Sequence, residues 1–296
     1  MRCLECINHA VFDTPAYCKE HFLAYFENKV RETIATYNLI KKGQRIAVAV
    51  SGGKDSLTIL TLLHKWYENV TAIAIDEGIA GYREHTLKDA QRICQENKIP
   101  LCITSYKEFM GFTLDEILKK KKLHPCTVCG AFRRHLLATA SKEFDVLATG
   151  HNADDEAQAV LMNIIKGNTE LFTRLGPVSG NGPTQFTQRV KPLYFCTEKE
   201  VMAYAYLNGL VDSFTECPNV HESYRQIIRD ELNTYTKTRP QAKQQLLQRF
   251  LKAKQSLPHK KISLQQCTTC GEPSSRAQCK VCEYVSLLST IKKDKI

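Results

Sequence analysis

Ile46-Ala47-Val48-Ala49-Val50-Ser51-Gly52-Gly53-Lys54-Asp55-Ser56 is the stretch that decides the fold of this chain. Its first five residues are small or β-branched and apolar, which is typical of a strand buried on both faces. The apolar run at 57–63 predicts a helix that packs back on this strand. The stretch therefore predicts an α/β domain with a tight turn between a core strand and the next helix.

The turn has the composition of a phosphate-binding loop. Gly52 and Gly53 let the backbone approach a ligand closely, and the N–H groups that open the next helix favour a phosphate. Lys54 adds a positive charge, while Ser51 and Ser56 add hydroxyl donors. A Gly-rich turn in any doubly wound domain is the alternative interpretation.

The nucleoside-triphosphate P-loop is absent, because Val48 and Asp55 occupy the positions where that motif needs Gly and Ser or Thr. The turn instead resembles the Ser-Gly-Gly-x-Asp-Ser loop of the ATP pyrophosphatases. Members of that superfamily cleave ATP between its α and β phosphates by adenylating an acceptor.

Length and composition limit the classes of protein to which this chain can belong. With 296 residues, the chain is long enough for one α/β domain with small appendages. Its 41 Lys and Arg against 31 Asp and Glu give a formal charge of +10, which favours a polyanionic partner such as RNA, although a basic chain can simply be soluble. Neither a signal peptide nor a membrane span is predicted, so we expect a cytoplasmic protein.

Most of the 13 cysteines lie in paired spacings, which in a reducing cytoplasm indicate metal sites rather than disulfides. Near the N-terminus, Cys3-x2-Cys6 and Cys18-x2-His21 predict a tetrahedral zinc site, with His9 as a rival ligand. Near the C-terminus, a second zinc site is predicted from four further residues: Cys267, Cys270, Cys279 and Cys282. Cys94, Cys102 and Cys196 are interpreted as core residues.

Three further strands are predicted at 70–75, 101–104 and 146–149, and helices at 22–37, 84–97, 198–209 and 222–257. In an open parallel sheet, ligands bind at the carboxyl ends of the strands. Ile75 and Asp76 are therefore candidates for contact with an adenosine, and Gly150 permits close approach at the end of the fourth strand. Asp155 opens a helix, where it either caps the backbone or positions a magnesium ion.

A third Cys-x-x-Cys, Cys126 to Cys129, stands at the start of a predicted helix behind the lysine run 119–122. The helix dipole and nearby cations are expected to lower the pKa of its thiols. Two cysteines do not complete a metal site on their own.

Four motifs occur in one order inside two zinc knuckles: Ser-Gly-Gly-Lys-Asp-Ser, Asp-Glu-Gly-Ile, Cys-Thr-Val-Cys-Gly and Thr-Gly-His-Asn-Ala-Asp-Asp-Glu. In this combination the chain resembles the tRNA 2-thiouridine synthetases of the TtuA type and the cytoplasmic tRNA 2-thiolation proteins. The resemblance implies a PP-loop ATPase domain with zinc-finger modules at both ends. It predicts boundaries at 1–25 (zinc finger), 26–225 (PP-loop domain), 226–262 (basic helical linker) and 263–296 (zinc finger).

The resemblance also implies a third cysteine ligand, Cys217 in Thr215-Glu216-Cys217-Pro218, which would join Cys126 and Cys129 around a [4Fe-4S] cluster. A zinc site or a redox triad that passes persulfide is the alternative for these three. Cys126 and Cys217, with Lys54 and Asp55, are then the expected catalytic residues.

In the implied reaction, ATP adenylates the C2 oxygen of a tRNA uridine, and sulfur replaces AMP to give 2-thiouridine. Lys54, Ser56 and the Gly52–Gly53 backbone would stabilise the phosphates, and Asp55 would orient Mg²⁺ or assist proton removal. Arg133 would reach the α-phosphate, while Gly150 and Asp155 would flank the nucleotide.

The expected partners are tRNA, a second copy of the chain, and a sulfur donor, either sulfide or a thiocarboxylated ubiquitin-like carrier protein. The loop around Arg174 and Arg189 is expected near the RNA entrance. A set of basic residues is expected to follow the RNA backbone, unless it is only a solvated surface: Arg225, Arg229, Lys237, Arg239, Lys243 and Arg249.

Three rival functions remain. A tRNA 2-thiocytidine synthetase would share the turn and cysteine pairs, although the terminal knuckles argue against it. Adenylating amide formation, as in lysidine synthesis, would need neither Cys126 nor Cys217. A zinc-knuckle RNA-binding protein with a nucleotide-sensing domain would not be an enzyme. The sequence leaves open whether the target is a T-loop or a wobble uridine.

Overall fold

The computed structural model describes residues 1–120, 123–179, 186–211, 215–219, 224–257 and 264–293, with backbone only for 289–293. Lys121 and Lys122 of the lysine run lie outside the described residues. So do residues 180–185 of the loop expected near the RNA and the end of the predicted linker at 258–262.

The described chain contains short strands near both termini and longer ones in the middle. The strands are β1 Phe12–Asp13, β2 Ala16–Tyr17, β3 Ile46–Ala49, β4 Val70–Asp76, β5 Leu101–Ser105, β6 Val146–Thr149, β7 Val178–Ser179, β8 Gln188–Val190, β9 Gln265–Gln266 and β10 Pro273–Ser274. The helices are α1 Lys19–Thr36, α2 Lys54–Trp66, α3 Arg83–Glu96, α4 Tyr106–Met110, α5 Leu114–Lys120, α6 Pro125–Ala140, α7 Ala153–Ile165, α8 Thr169–Thr173, α9 Glu198–Leu207, α10 Tyr224–Thr238, α11 Ala242–Gln255 and α12 Lys280–Lys293.

A six-stranded sheet in the order β5-β4-β3-β6-β8-β7 forms the centre, and only β7 runs antiparallel to its neighbour. Alternate residues of its strands enter two separate hydrophobic cores, because successive side chains point to opposite faces. Ile46 and Val48 pack into one core with α1, α2 and α9, whereas Ala47 packs into the other with α6 and α12. The predicted doubly wound α/β fold is confirmed.

The strand order places the functional segments together. β3 lies between β4 and β6, so the turn after β3 has the ends of β4 and β6 on its two sides. Ligands of such sheets bind at this carboxyl edge. The helix α6 begins near the end of β4 and carries the central Cys-x-x-Cys.

Small modules occupy both ends of the chain. The β1–β2 hairpin packs on α1 through Phe12 and Phe22, whose ring centroids are 4.5 Å apart. The β9–β10 hairpin leads into α12, which packs on α6 through Tyr284 and Phe132. None of the helices in the described part of the chain is both long and apolar enough to cross a membrane.

Three predictions of local structure were wrong. The helix predicted at 222–257 is two helices, α10 and α11, because Pro240 falls between them and proline interrupts a helix interior. Arg189 belongs to β8 rather than to a loop. Cys102 is exposed on the edge strand β5, while Cys94 and Cys196 are buried as predicted.

The conformation of Gly52 gives a test of the turn. Its φ is +81°, and a Cβ added there would lie 1.8 Å from the carbonyl oxygen of Thr86. Gly43 has nearly the same φ, +83°, but open space around it. We expect Gly43→Ala to cost about 1–2 kcal/mol from the left-handed backbone alone. Gly52→Ala should cost about 1–3 kcal/mol more, because the clash with backbone adds overpacking.

Denaturant unfolding of the two variants measures the difference. Equal losses of unfolding free energy would show that α3 yields at Thr86 and does not hold the turn.

Candidate active site and metal centres

The turn after β3 has the geometry of an anion-binding site. Gly53 is the N-cap of α2 and supplies no side-chain cap, so the first amides of a 13-residue helix are directed at the turn. The Ser51 amide donates to Ser56 Oγ at 3.1 Å, and the Ser56 hydroxyl donates to the Gly53 carbonyl at 2.9 Å. These bonds close the turn and keep both hydroxyls beside it.

Gly150 at the end of β6 packs against the start of α2. A Cβ there would lie 2.8 Å from the carbonyl carbon of Asp55 and 2.9 Å from the Ser56 amide nitrogen. Only glycine allows this approach of the β6 end to the turn. The structure thus places Gly150 next to the predicted nucleotide-binding residues.

Acidic groups surround a pocket of about 220 Å³ beside the turn. Asp55, Asp155 and Glu198 line it together with Arg225. Burial raises the pKa of Asp55 in spite of Lys54, and burial raises the pKa of Asp155 in spite of Arg225. Carboxylates that ionise reluctantly at one pocket suit a divalent cation, which would relieve their repulsion.

Lys54 and Asp155 each contact residues that line this pocket. Lys54 Nζ lies 3.0 Å from both Asp55 Oδ2 and Glu198 Oε1. Asp155 forms a capping box at the start of α7 with Asn152, whose side-chain amide donates to Asp55 Oδ1 at 2.8 Å. The capping role of Asp155 is therefore observed, and the cap itself is tied to the turn.

Glu77, directly after β4, is the centre of an ion network with Arg83 of α3 and Arg133 of α6. Glu77, 4% exposed, makes ion pairs through one oxygen with Arg83 Nε at 3.0 Å and through the other with Arg133 Nε at 2.8 Å. Arg83 also donates to the Ser51 carbonyl at 2.5 Å, and Arg133 donates to Cys129 Sγ at 3.3 Å. One chain of contacts therefore joins the turn to a cysteine of the Cys-x-x-Cys.

This network changes the position expected for Arg133. Its guanidinium is held between Glu77 and Cys129, rather than extended freely towards a nucleotide. The Asp76 carboxylate accepts from the Gly78 amide at 2.9 Å, and Ile75 is buried in the core beneath the strand end.

The N-terminus of α6 presents the cysteine pair. Cys126 is exposed, whereas Cys129 is buried beneath Tyr106, whose hydroxyl donates to the Cys129 carbonyl at 2.7 Å. Burial raises the pKa of the Cys129 thiol against the opposing charge of Arg133, so the predicted lowering was wrong for this residue. The charge of a bound metal would reverse this balance.

Cys217 lies at the same place. It packs against the hydrophobic core that contains Cys129, and Cys126 Sγ is 3.7 Å from the carbonyl of Asn219. Among the residues with described positions, these three cysteines are not a group whose ligand atoms all lie within 4.8 Å of one another. The trio is therefore spaced more widely than ligands of a single tetrahedral ion.

The two terminal groups are spaced for one ion each. Cys3, Cys6, Cys18 and His21 place all ligand atoms within 4.8 Å of one another, as do Cys267, Cys270, Cys279 and Cys282. The Sγ atoms of Cys6 and Cys18 are 3.7 Å apart, and those of Cys270 and Cys279 are 3.8 Å apart. A tetrahedron with metal–sulfur bonds of about 2.3 Å has edges of about 3.8 Å. The donor sets fit zinc, and His9 is outside the N-terminal group.

The basic residues expected to follow RNA divide into two groups. Lys243 is buried and paired with Asp154 and Asn233, so its predicted contact with RNA was wrong. Arg225 and Arg229 pair with Asp155 and Glu216. The remaining three, Lys237, Arg239 and Arg249, form no ion pair with any residue that the structure describes.

Sequence reasoning overlooked Glu77, Asn152 and Glu198. Glu77 stood in a quoted motif, Asp-Glu-Gly-Ile, and an acidic residue directly after a buried strand was the available signal. Asn152 precedes a helix and has the side chain of an N-cap. Glu198 comes from a distant part of the chain, and no local pattern links it to Lys54.

Known proteins share this architecture. A model of the PP-loop domain family matches residues 23–235. Cytoplasmic tRNA 2-thiolation protein 1 of Drosophila melanogaster is 37% identical over 291 residues, covering 94% of this chain and 85% of the relative. A tRNA-5-methyluridine(54) 2-sulfurtransferase of Pyrococcus horikoshii is 38% identical over 280 residues, covering 93% and 89%.

A solved structure agrees over nearly the whole chain. The U34-tRNA thiolase NcsA from Methanococcus maripaludis, determined with its [4Fe-4S] cluster, is 33% identical, with a TM-score of 0.81 and coverage of 97% of this chain and 96% of that one. The turn and the three inner cysteines lie within residues 23–235, which the family model matches. The chain belongs to the PP-loop family that includes the cytoplasmic tRNA 2-thiolation proteins and the tRNA 2-sulfurtransferases.

Proposed function

We propose that this protein is an ATP-dependent tRNA sulfurtransferase that converts a uridine to 2-thiouridine. The uridine C2 oxygen attacks the α-phosphorus of ATP, and pyrophosphate leaves. Sulfur then attacks C2, and AMP departs with the original oxygen. The observation that carries this proposal is the chain of contacts from Ser51 through Arg83, Glu77 and Arg133 to Cys129, because it joins a phosphate-binding turn to a sulfur ligand.

The residues of the turn are assigned to the phosphates. The α2 amides, the Ser51 and Ser56 hydroxyls and the Lys54 ammonium would stabilise the charge that develops on the departing pyrophosphate. Asp55 and Asp155 would hold Mg²⁺, because both carboxylates line the pocket beside the turn and this ion prefers oxygen ligands. Ile75, Asp76 and Gly150 would contact the nucleoside.

Cys126, Cys129 and Cys217 are assigned to an iron-sulfur cluster. Their wide spacing suits a multinuclear group better than one zinc ion, and the exposed Cys126 opens the site to solvent. A [4Fe-4S] cluster on three thiolates would supply an open iron position for external sulfide. Arg133 would hold the Cys129 thiolate by a charge-assisted hydrogen bond.

The remaining assignments complete the proposal. We place the reaction in the cytoplasm, with sulfide or a thiocarboxylated ubiquitin-like carrier as sulfur donor and a homodimer as the assembly. The terminal groups are zinc fingers at 1–25 and 263–296, the PP-loop domain spans 26–225, and the basic linker spans 226–262. Two of the three named relatives carry a tRNA position in their names, U34 and uridine 54, so we propose that the target is a uridine of tRNA at one of these positions.

Lys54 and Lys65 provide a matched test, since both lie on α2 but only Lys54 faces the turn. Lys54→Ala should reduce ATP-dependent formation of 2-thiouridine by about 100-fold or more, the effect of losing one preorganised donor to a developing anion. Lys65→Ala, which removes an exposed pair with Glu27, should act as wild type. Nucleoside mass spectrometry of tRNA, mapped to position, measures both.

The same assay tests the cysteine site. Protein purified without oxygen should be brown, and Cys217→Ala should lose colour and thiolation while it still binds ATP. A colourless protein with full activity would reject the cluster. Formation of 2-thiocytidine, or of a product without sulfur, would favour one of the rival enzymes.

Metal analysis tests the terminal groups. We expect two zinc ions per chain, reduced to one in Cys18→Ser and in Cys270→Ser, because each change removes a ligand of a closed four-ligand site. Cys102→Ser is the control, since Cys102 is exposed and lies outside both groups. Retention of two zinc ions by the ligand variants would contradict this assignment.

Glu77→Gln tests the ion network. It should reduce the free energy of unfolding by about 3–5 kcal/mol, because two guanidinium groups lose their shared buried carboxylate. Glu116→Gln removes an exposed pair with Lys107 and should change stability little. Similar stabilities of the two variants in denaturant unfolding would show that Glu77 does not hold the site together.

A further inference from the structure

Most cations around the carboxyl edge of the sheet are neutralised by a specific carboxylate. The pairs are Lys54 with Asp55 and Glu198, Arg83 and Arg133 with Glu77, Lys191 with Glu156, Arg225 with Asp155, Arg229 with Glu216, and Lys243 with Asp154. Arg134 within α6 and Arg189 in the middle of β8 are different, because neither forms an ion pair with any residue that the structure describes.

These two arginines lie together on one face of the sheet. Arg189 of β8 is in register with Leu147 of β6, whose side chain belongs to the core covered by α6. Its guanidinium donates to the backbone carbonyl of Arg134 in α6 at 3.4 Å. The two residues are therefore neighbours on one surface, between α6 and β8.

The side chain of Arg134 reaches towards the cysteines. Its Nη1 atom lies 3.1 Å from the position that a Cβ would take on Gly130, one turn back along α6. Gly130 directly follows Cys129. The guanidinium therefore occupies space that the missing side chain leaves, beside the candidate sulfur site.

The positive charges of Arg134 and Arg189 are not paired with a carboxylate in the part of the chain that the structure describes. Desolvation, followed by the charge of Arg133, lowers the pKa of Arg134, and desolvation with the charge of Arg134 lowers the pKa of Arg189. Both guanidiniums nonetheless stay ionised near neutral pH, because arginine does not lose its proton in proteins.

The positive field reaches the end of β6. His151 lies there, and desolvation together with the charges of Lys191, Arg225 and Arg189 lowers the pKa of its imidazole to about 4. Its imidazole is therefore neutral near pH 7, hydrogen-bonded to Thr149 Oγ1 at 2.9 Å. Near the end of β6, Arg189 thus adds positive charge, whereas the neutral His151 adds none.

We propose that Arg134 and Arg189 form a binding site for a backbone phosphate of the RNA substrate, next to the nucleotide that reacts. This inference rests on the proposed function. Guanidinium groups bind phosphate oxygens in a planar, bidentate manner, and such contacts fix the position of a nucleic acid without reading its sequence. The pocket lined by Asp55 and Asp155 is assigned to ATP. The surface around Arg134 and Arg189 therefore remains for the other polyanion, the RNA.

Binding of an unmodified tRNA transcript, measured by fluorescence anisotropy at several salt concentrations, tests the site. The Arg134→Ala, Arg189→Ala double variant should bind about tenfold or more weakly, and the slope of log affinity against log salt should decrease by about 2, one for each lost phosphate contact. The Arg134→Lys, Arg189→Lys double variant should keep most of the salt slope, because both positive charges remain. This variant also changes the native side chains less than alanine does.

Arg45→Ala is the control. Arg45 is an exposed arginine paired with Asp145 at the opposite, amino edge of the sheet, so its loss should leave tRNA binding unchanged. Affinity for ATP should be the same in every variant. If the double variant loses ATP affinity and keeps tRNA affinity, the arginines bind the phosphates of the nucleotide and the inference is wrong.

Further outcomes separate this inference from the proposed function. A double variant that binds tRNA like the wild type overturns the phosphate site, even if the wild type makes 2-thiouridine. A wild type that binds tRNA through these arginines but never thiolates it overturns the proposed reaction and leaves the site intact. A wild type without affinity for tRNA overturns both.

Discussion

The shared carboxylate of Glu77 is the interaction on which the candidate site depends. It accepts Arg83 from the start of α3 and Arg133 from the middle of α6, two helices on different connections of the sheet. Removing the carboxylate would leave the buried Arg83 guanidinium uncompensated, at a cost of about 3–5 kcal/mol. The turn bound by Arg83 and the sulfur bound by Arg133 are therefore held in one fixed relation, as a transfer between adenylate and sulfur requires.

The charge balance of this network indicates the state of the sulfur. One carboxylate between two guanidiniums leaves a net positive charge, and the next polar atom beyond Arg133 is Cys129 Sγ. Burial alone favours the neutral thiol. A bound metal requires the thiolate, so metal binding would release the proton and supply the missing negative charge at once. A ligating Cys129 would therefore complete the charge balance of this network.

The fold was predictable from the sequence because its strands are short, apolar and separated by regular helices, and a period of two or 3.6 residues is a local property. The terminal cysteine groups were predictable for the same reason, since their spacing is local. Glu77, Glu198 and Lys243 were not, because each finds its partner through a contact with a distant segment. Cys102 was misjudged since an apolar strand at the edge of a sheet has the same pattern as a central one, yet exposes residues on one side.

The distribution of charge around the carboxyl edge follows from the need to hold two polyanions close together. A nucleoside triphosphate and an RNA repel each other, and the repulsion grows as water is excluded between them. Acidic side chains at the nucleotide pocket would hold a divalent cation beside the triphosphate. That cation would neutralise part of the triphosphate charge and link the triphosphate to the protein carboxylates. Uncompensated arginines on the α6 face would neutralise the RNA. Because the turn and α6 are joined through Glu77, the two compensating charges would stay apart, with the reacting atoms between them.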